Sequence, residues 1–205
     1  FPTNVAVVVT NGYINGDQVK VRYYDGTSKT VTVSDNTSVQ LTMGTAYKVS
    51  GSDDSMKFEA LNAGTKYNGY KYLNTNPGAA DPDNSKAYGT KVDDSAAVIL
   101  YDGNGRSKML TGKQYNALKT SDISSATTAA SAAFTKEKNG LNRVMMLAIK
   151  APTTISGESS DNYAYVVSDN GKNKDGNAVF TIWTADNEYK DVILENAASA
   201  MPKGT

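Results

Sequence analysis

Apolar and polar residues alternate with a period of two over much of this chain, and that period predicts β-strands. Val5, Val7 and Val9 fall on one face of a first strand and Ala6 and Val8 on the other. A strand apolar on both faces is expected to be central or covered. Val19, Val21 and Tyr23 then alternate with Gln18, Lys20 and Arg22, the pattern of a half-buried strand. Asp25-Gly26 is a strong hairpin signal, and Val31 and Val33 return on the next strand. Val39 and Leu41 predict a short strand. Tyr47 and Val49, a polar turn, and then Met56, Phe58 and Ala60 predict two more. Several short strands in about 60 residues suggest a small barrel or sandwich.

The strand–turn–strand pattern occurs a second time near the other end. Tyr163-Ala164-Tyr165-Val166-Val167 corresponds to Val5–Val9. The stretch from Phe180 to Leu194 then aligns without a gap on Val19 to Val33. Only the turn before it differs in length, where hairpins tolerate change. Both copies run on to Gly-Thr, at Gly44-Thr45 and Gly204-Thr205. The abrupt opening at Phe1 and the stop inside a repeat predict a piece of a longer protein. The last unit is then expected to be incomplete, and to be closed by another part of the chain or by a neighbour.

Between the copies the pattern changes. Tyr67, Tyr70 and Tyr72 flank Asn68-Gly69 and predict a strand pair. Ala97–Tyr101 and Lys108–Leu110 predict two strands around a Gly-rich turn. Thr111 with Gln114 three residues on is a capping box, predicting a helix through Lys119. Residues 123–138, rich in Ala, Ser and Thr, suit a helix or an irregular segment. Val144–Ile149 predicts a buried strand. The chain thus divides into a β-module at 1–62, a second with a short helix at 63–151, a linker at 152–161 and an incomplete third module at 162–205. The predicted class is all-β: tandem small barrels or sandwiches.

Composition narrows the chemistry. The chain has 205 residues, with 21 basic and 21 acidic side chains and no net charge. A nucleic-acid partner would call for basic excess. Cys and His are both absent, which removes disulfides, thiolate metal sites, cysteine nucleophiles and the commonest acid–base group. No apolar run reaches the ~20 residues of a membrane helix, so no membrane insertion is expected. No Walker loop, GxSxG, GxGxxG or HExxH occurs, and enzyme activity is not expected.

Three constellations remain. Tyr67, Tyr70, Tyr72 and Trp183 are candidate ligand-binding residues, as an aromatic platform for sugar or partner, against a plain strand-packing role. Asp169, Asn173 and Asp175, followed by Gly176, resemble part of a calcium loop. Lys172 and Lys174 interrupt it and Phe180 stands late in it, so a hairpin turn is the plainer reading. Asp81, Asp83, Asn84, Asp93 and Asp94 are a second cation candidate, against a solvated loop. No cofactor is expected beyond these calcium candidates. Only five glutamates exist, and no carboxylate pair suits glycoside hydrolysis.

The segment from Tyr163 to Thr184 resembles the repeated β-modules of S-layer-type surface proteins, which carry S-layer homology domains, in clostridia-like Gram-positive bacteria. Val98–Asp102 with Leu110–Lys119 is similar to middle modules of the same proteins. The resemblance implies an extracellular, non-catalytic structural or interaction segment at the cell surface. Its implied partners are other surface-protein subunits, or cell-wall polymers gripped by modules outside this chain. The wall-binding motifs themselves are absent here. The alternatives are a carbohydrate-binding module of a secreted protein and a carboxylate-based hydrolase.

Overall fold

The computed structural model describes residues 1–73, 77–103, 105–123, 126–150, 164–174, 177–184 and 189–194. The protein is all-β, as its periodicity predicts. It divides into two compact units, Phe1–Gly157 and Glu158–Thr205. The expected linker at 152–161 lies outside the described residues.

The first sheet comprises β1 (Val5–Val8), β2 (Gln18–Tyr23), β3 (Ser28–Thr32), β4 (Ala46–Ser52) and β5 (Ser55–Ala60). Its order is β3-β2-β1-β4-β5, with antiparallel pairing throughout. The doubly apolar β1 is the central strand, as expected. The end strands also meet. Val33 bridges Met56, the Thr32 N–H donates to the Asp53 carbonyl at 2.8 Å, and the Ser34 N–H donates to the Met56 carbonyl at 2.8 Å. One face of the sheet buries Ala6, Val8, Val19, Val21, Val31 and Phe58 among themselves. The segment around Val39 and Leu41 is not a strand. Both side chains instead pack against that apolar layer.

The second sheet holds β6 (Lys66–Tyr67), β7 (Tyr70–Tyr72), β8 (Ala80–Asp81), β9 (Lys86–Ala87), β10 (Thr90–Tyr101), β11 (Ser107–Thr111), β12 (Ala130–Lys138) and β13 (Leu141–Lys150). Its order is β6-β7-β12-β13-β10-β9-β8, and β11 pairs with β10. The β10–β13 pair is parallel. The helix α1 (Gly112–Asn116) follows β11 directly. Its capping box forms as the sequence predicts: Thr111 Oγ1 accepts from the Gln114 N–H at 3.1 Å, and Gln114 Oε1 accepts from the Thr111 N–H at 2.8 Å. The helix stops at Asn116, short of Lys119. Gly112 opens it because a Cβ there would fall on the Asp93 carbonyl.

The segment 123–138 departs from expectation, since most of it is β12. Ala130, Ala132, Ala133 and Phe134 are fully buried, and packing on both faces of the sheet overrides weak helix propensity. The two expected modules at 1–62 and 63–151 each carry one sheet, yet they share a core. Val5, Val7, Val9 and Tyr24 of the first sheet region pack with Tyr72, Ile99, Tyr101, Phe134 and Met146 of the second. A second layer beyond it, including Val98, Tyr115, Leu147 and Ile149, seats the helix.

The Glu158–Thr205 unit contains β14 (Ala164–Lys172), β15 (Ala178–Thr184) and β16 (Tyr189–Leu194), in that order and antiparallel. The repeat seen in sequence is reproduced in register. Val19 opposite Val31 in β2–β3 becomes Phe180 opposite Val192 in β15–β16, and Arg22 opposite Ser28 becomes Trp183 opposite Tyr189. Ala6 opposite Tyr23 and Val8 opposite Val21 become Ala164 opposite Thr184 and Val166 opposite Ile182. A one-residue slip would exchange the faces of every side chain, so agreement at each pair is a strict match. Among the described residues no helix is long and apolar enough to cross a membrane.

Candidate functional site

The tyrosine strip is set by the β6–β7 hairpin. Asn68 and Gly69 both take positive φ, 50° and 82°, as a tight two-residue turn requires. Tyr67 therefore stands opposite Tyr70. Tyr72 is fully buried, its ring centroid 4.9 Å from that of Phe134. Burial raises its phenol to about 12. Its hydroxyl has no protein hydrogen-bond partner. A ring in this position packs the core, and the expectation of Tyr72 as an exposed platform is corrected. Tyr67 and Tyr70 are half-buried against the same core. The Tyr67 hydroxyl accepts from the Asn62 N–H at 3.0 Å. Tyr70 has the Lys136 ammonium 4.7 Å from its ring centroid, and Phe1 beside it at 5.7 Å. Both rings are thus engaged within the protein. Since the Tyr72 hydroxyl is buried without a partner, Tyr72→Phe is expected to leave stability unchanged or raise it by about 1 kcal/mol, read from the urea midpoint.

The described cation candidates are engaged in hydrogen bonds within the protein. Both oxygens of Asp81 accept from Asn84 Nδ2, at 3.1 and 2.9 Å. Asp83 accepts from the Thr120 N–H at 3.2 Å, and Asp94 from Asn116 Nδ2 at 2.9 Å. In the second unit the Asp169 carboxylate accepts from the Gly171 N–H, and the Asn173 side chain from the Asn177 N–H, each at 2.9 Å. The Asp81, Asp169 and Asn173 bonds are the local ones by which Asp and Asn build turns, whereas Asp83 and Asp94 tie distant segments together. Asp175 and the Trp183 side chain lie outside the described residues; the Trp183 backbone stands in β15. Among the described residues no three carboxylates come together as a metal site would need.

The Asp93 carboxyl is held well below the usual carboxylate range by its neighbours. The Ser95 hydroxyl, its backbone N–H and the Lys138 ammonium at 3.0 Å hold the carboxyl at about 2, against desolvation acting the other way. The folded value lies below the unfolded one of ~3.9, so the stabilisation is fully present above that value. It is lost as pH falls toward 2. Asp93→Asn is expected to cost about 1–2 kcal/mol at pH 7, with the gap from wild type closing between about pH 4 and pH 2 in urea titrations.

A polar groove of about 290 Å³ was not foreseen from the sequence. It lies between the β2–β3 and β4–β5 turns, and Asp25, Lys29, Ser50, Asp53 and the edge of Tyr23 line it. Its two carboxylates are engaged: Asp53 pairs with Lys29 at 3.1 Å, and Asp25 accepts from the Thr27 N–H at 2.8 Å. The Asp53 hydrogen bond raises the Lys29 ammonium above its ordinary value. Turn residues far apart in sequence meet here because the end strands β3 and β5 are bridged to each other, and no local pattern signals that.

No family model, curated protein or solved structure matches this chain. Its function is therefore read from its own geometry.

Proposed function

We propose that this chain is a non-catalytic structural or interaction segment of a bacterial cell-surface protein of S-layer type, acting outside the cell. Its partners are other surface-protein subunits, or wall polymers held by modules outside this chain. What carries the reading is the hairpin used twice in one register, at β1–β3 and β14–β16. Repeating a small β-unit extends and spaces a chain without requiring any special side chain. The engaged carboxylates and packed tyrosines favour this reading over hydrolysis or sugar binding.

Surface biotinylation of intact cells of the source organism, followed by capture and detection with an antibody to this chain, tests the location. Labelling of the protein on intact cells is the expected result. Recovery only from the cytosolic fraction overturns it. Titration of the purified chain with wall polysaccharides is expected to show no saturable binding. Binding that is lost in Tyr67→Ala or Tyr70→Ala would transfer the assignment to a carbohydrate-binding module.

A further inference from the structure

In the first copy of the hairpin, β1 is paired on both sides. The Val8 N–H donates to the Thr45 carbonyl at 3.1 Å, and the Val8 carbonyl accepts from the Gly44 N–H at 2.7 Å. On the other side, the Val9 N–H donates to the Lys20 carbonyl at 2.9 Å. Even-numbered residues of β1 thus send their backbone groups toward β4, and odd-numbered ones toward β2. This is the alternation of an antiparallel ladder. The register of β14 on β15 matches that of β1 on β2 through Ala164, Tyr165 and Val166. Ala164 and Val166 therefore send their N–H and C=O groups away from β15. Among the described residues no strand pairs with β14 on that side.

Other described sheet edges are guarded, and the edge strand β11 is five residues long and carries Lys108. β3 and β5 are bridged to each other, and β6 and β8 are two residues long. The outer strand β16 carries Lys190 and Asp191. By contrast, β14 is nine residues long, and its first half, Ala164-Tyr165-Val166-Val167, has no charge and no proline; its register shifts on β15 come only after Val166. Natural edge strands usually carry such features because an open row of backbone groups is a template for pairing.

We propose that the outer edge of β14 is an acceptor for a β-strand of the β4 type supplied by another polypeptide. The incoming strand runs antiparallel and places its backbone on Ala164 and Val166, as β4 does on Ala6 and Val8. The register of β4 on β1, Val5 with Lys48, Ala6 with Tyr47 and Val7 with Ala46, describes the ligand. It is an extended segment with Tyr and Val facing the apolar layer and Lys and Ser facing out. This is strand addition, in which main-chain bonds give affinity and alternate side chains give selectivity. The proposal is independent of where the protein resides.

The test uses the full 205-residue chain and a synthetic peptide spanning residues 44–60. Amide hydrogen exchange is followed at Ala164 and Val166. Both amides are expected to exchange fast in the chain alone and about tenfold or more slowly with saturating peptide, and a scrambled peptide is expected to have no effect. Val166→Pro removes a donor that the β14–β15 ladder does not use, and is expected to abolish the protection. Continued protection at Tyr165, which bonds toward β15, shows that the hairpin persists in that variant. Three results overturn the proposal. One is protection of Ala164 and Val166 without peptide at any concentration, which means that the chain covers its own edge. Another is protection that rises with protein concentration, which means that two β14 strands pair. The third is no change, or equal protection by the scrambled peptide.

Discussion

Phe134→Ala is expected to destabilise the Phe1–Gly157 unit by about 3–5 kcal/mol, the cost of emptying a large buried aromatic site. Phe134 is fully buried on β12. Its ring stands edge-on to Tyr24 at 5.7 Å, with Tyr72 at 4.9 Å, so it joins side chains from both sheet regions. The cavity would open in the layer that the sheets share, with stiff aromatic walls that relax poorly. Urea unfolding followed by circular dichroism and by tyrosine fluorescence is expected to give coincident curves, both displaced to lower midpoints. Separate transitions would mean that the two sheets are stabilised independently. Phe134→Leu keeps most of the volume and is expected to cost less than about 1.5 kcal/mol.

Phe134 also shows what the sequence hides. Local pattern was enough wherever a strand and its turn partner are adjacent. Alternation plus Asp25-Gly26 specified β2 and β3, Asn68-Gly69 specified β6 and β7, and Thr111 with Gln114 specified the start of α1. It was not enough where distant segments decide. Ala130, Ala132 and Ala133 belong to a strand because neighbouring strands and two apolar layers enclose them. Small residues there admit close packing, and an isolated Ala-rich segment carries no sign of that. The parallel β10–β13 pair is equally silent locally, since its strands are separated by β11, α1 and β12. Tyr72 reads as a surface residue beside Tyr70 until β12 is laid against it. The candidate site suffered most for this reason: exposure decides between packing and binding, and exposure is a property of the assembled sheets.

Arg22 is the sharpest case, because alternation assigns it to the solvent side of β2. It is only 6% exposed. Its Nε donates to Ser107 Oγ at 2.9 Å, Nη2 to the Ser107 carbonyl at 2.7 Å, and Nη1 to the Gly26 carbonyl at 2.8 Å. Arg22 lies opposite Val7, on the face of the first sheet that meets the second, so the polar side of the hairpin is covered by β11. The planar fork satisfies two carbonyls and a hydroxyl together, and a lysine cannot reproduce that spread. Arg22→Ala is expected to cost about 3 kcal/mol, chiefly through acceptors left buried without donors. Arg22→Lys is expected to recover less than half of that loss. In a double-mutant cycle with Ser107→Ala, urea midpoints are expected to reveal a coupling of about 1–2 kcal/mol, against near zero if Arg22 merely fills space. At the equivalent place in the repeat the chain carries Trp183. The backbone register is thus common to both copies, while the residue type at this register position differs between them.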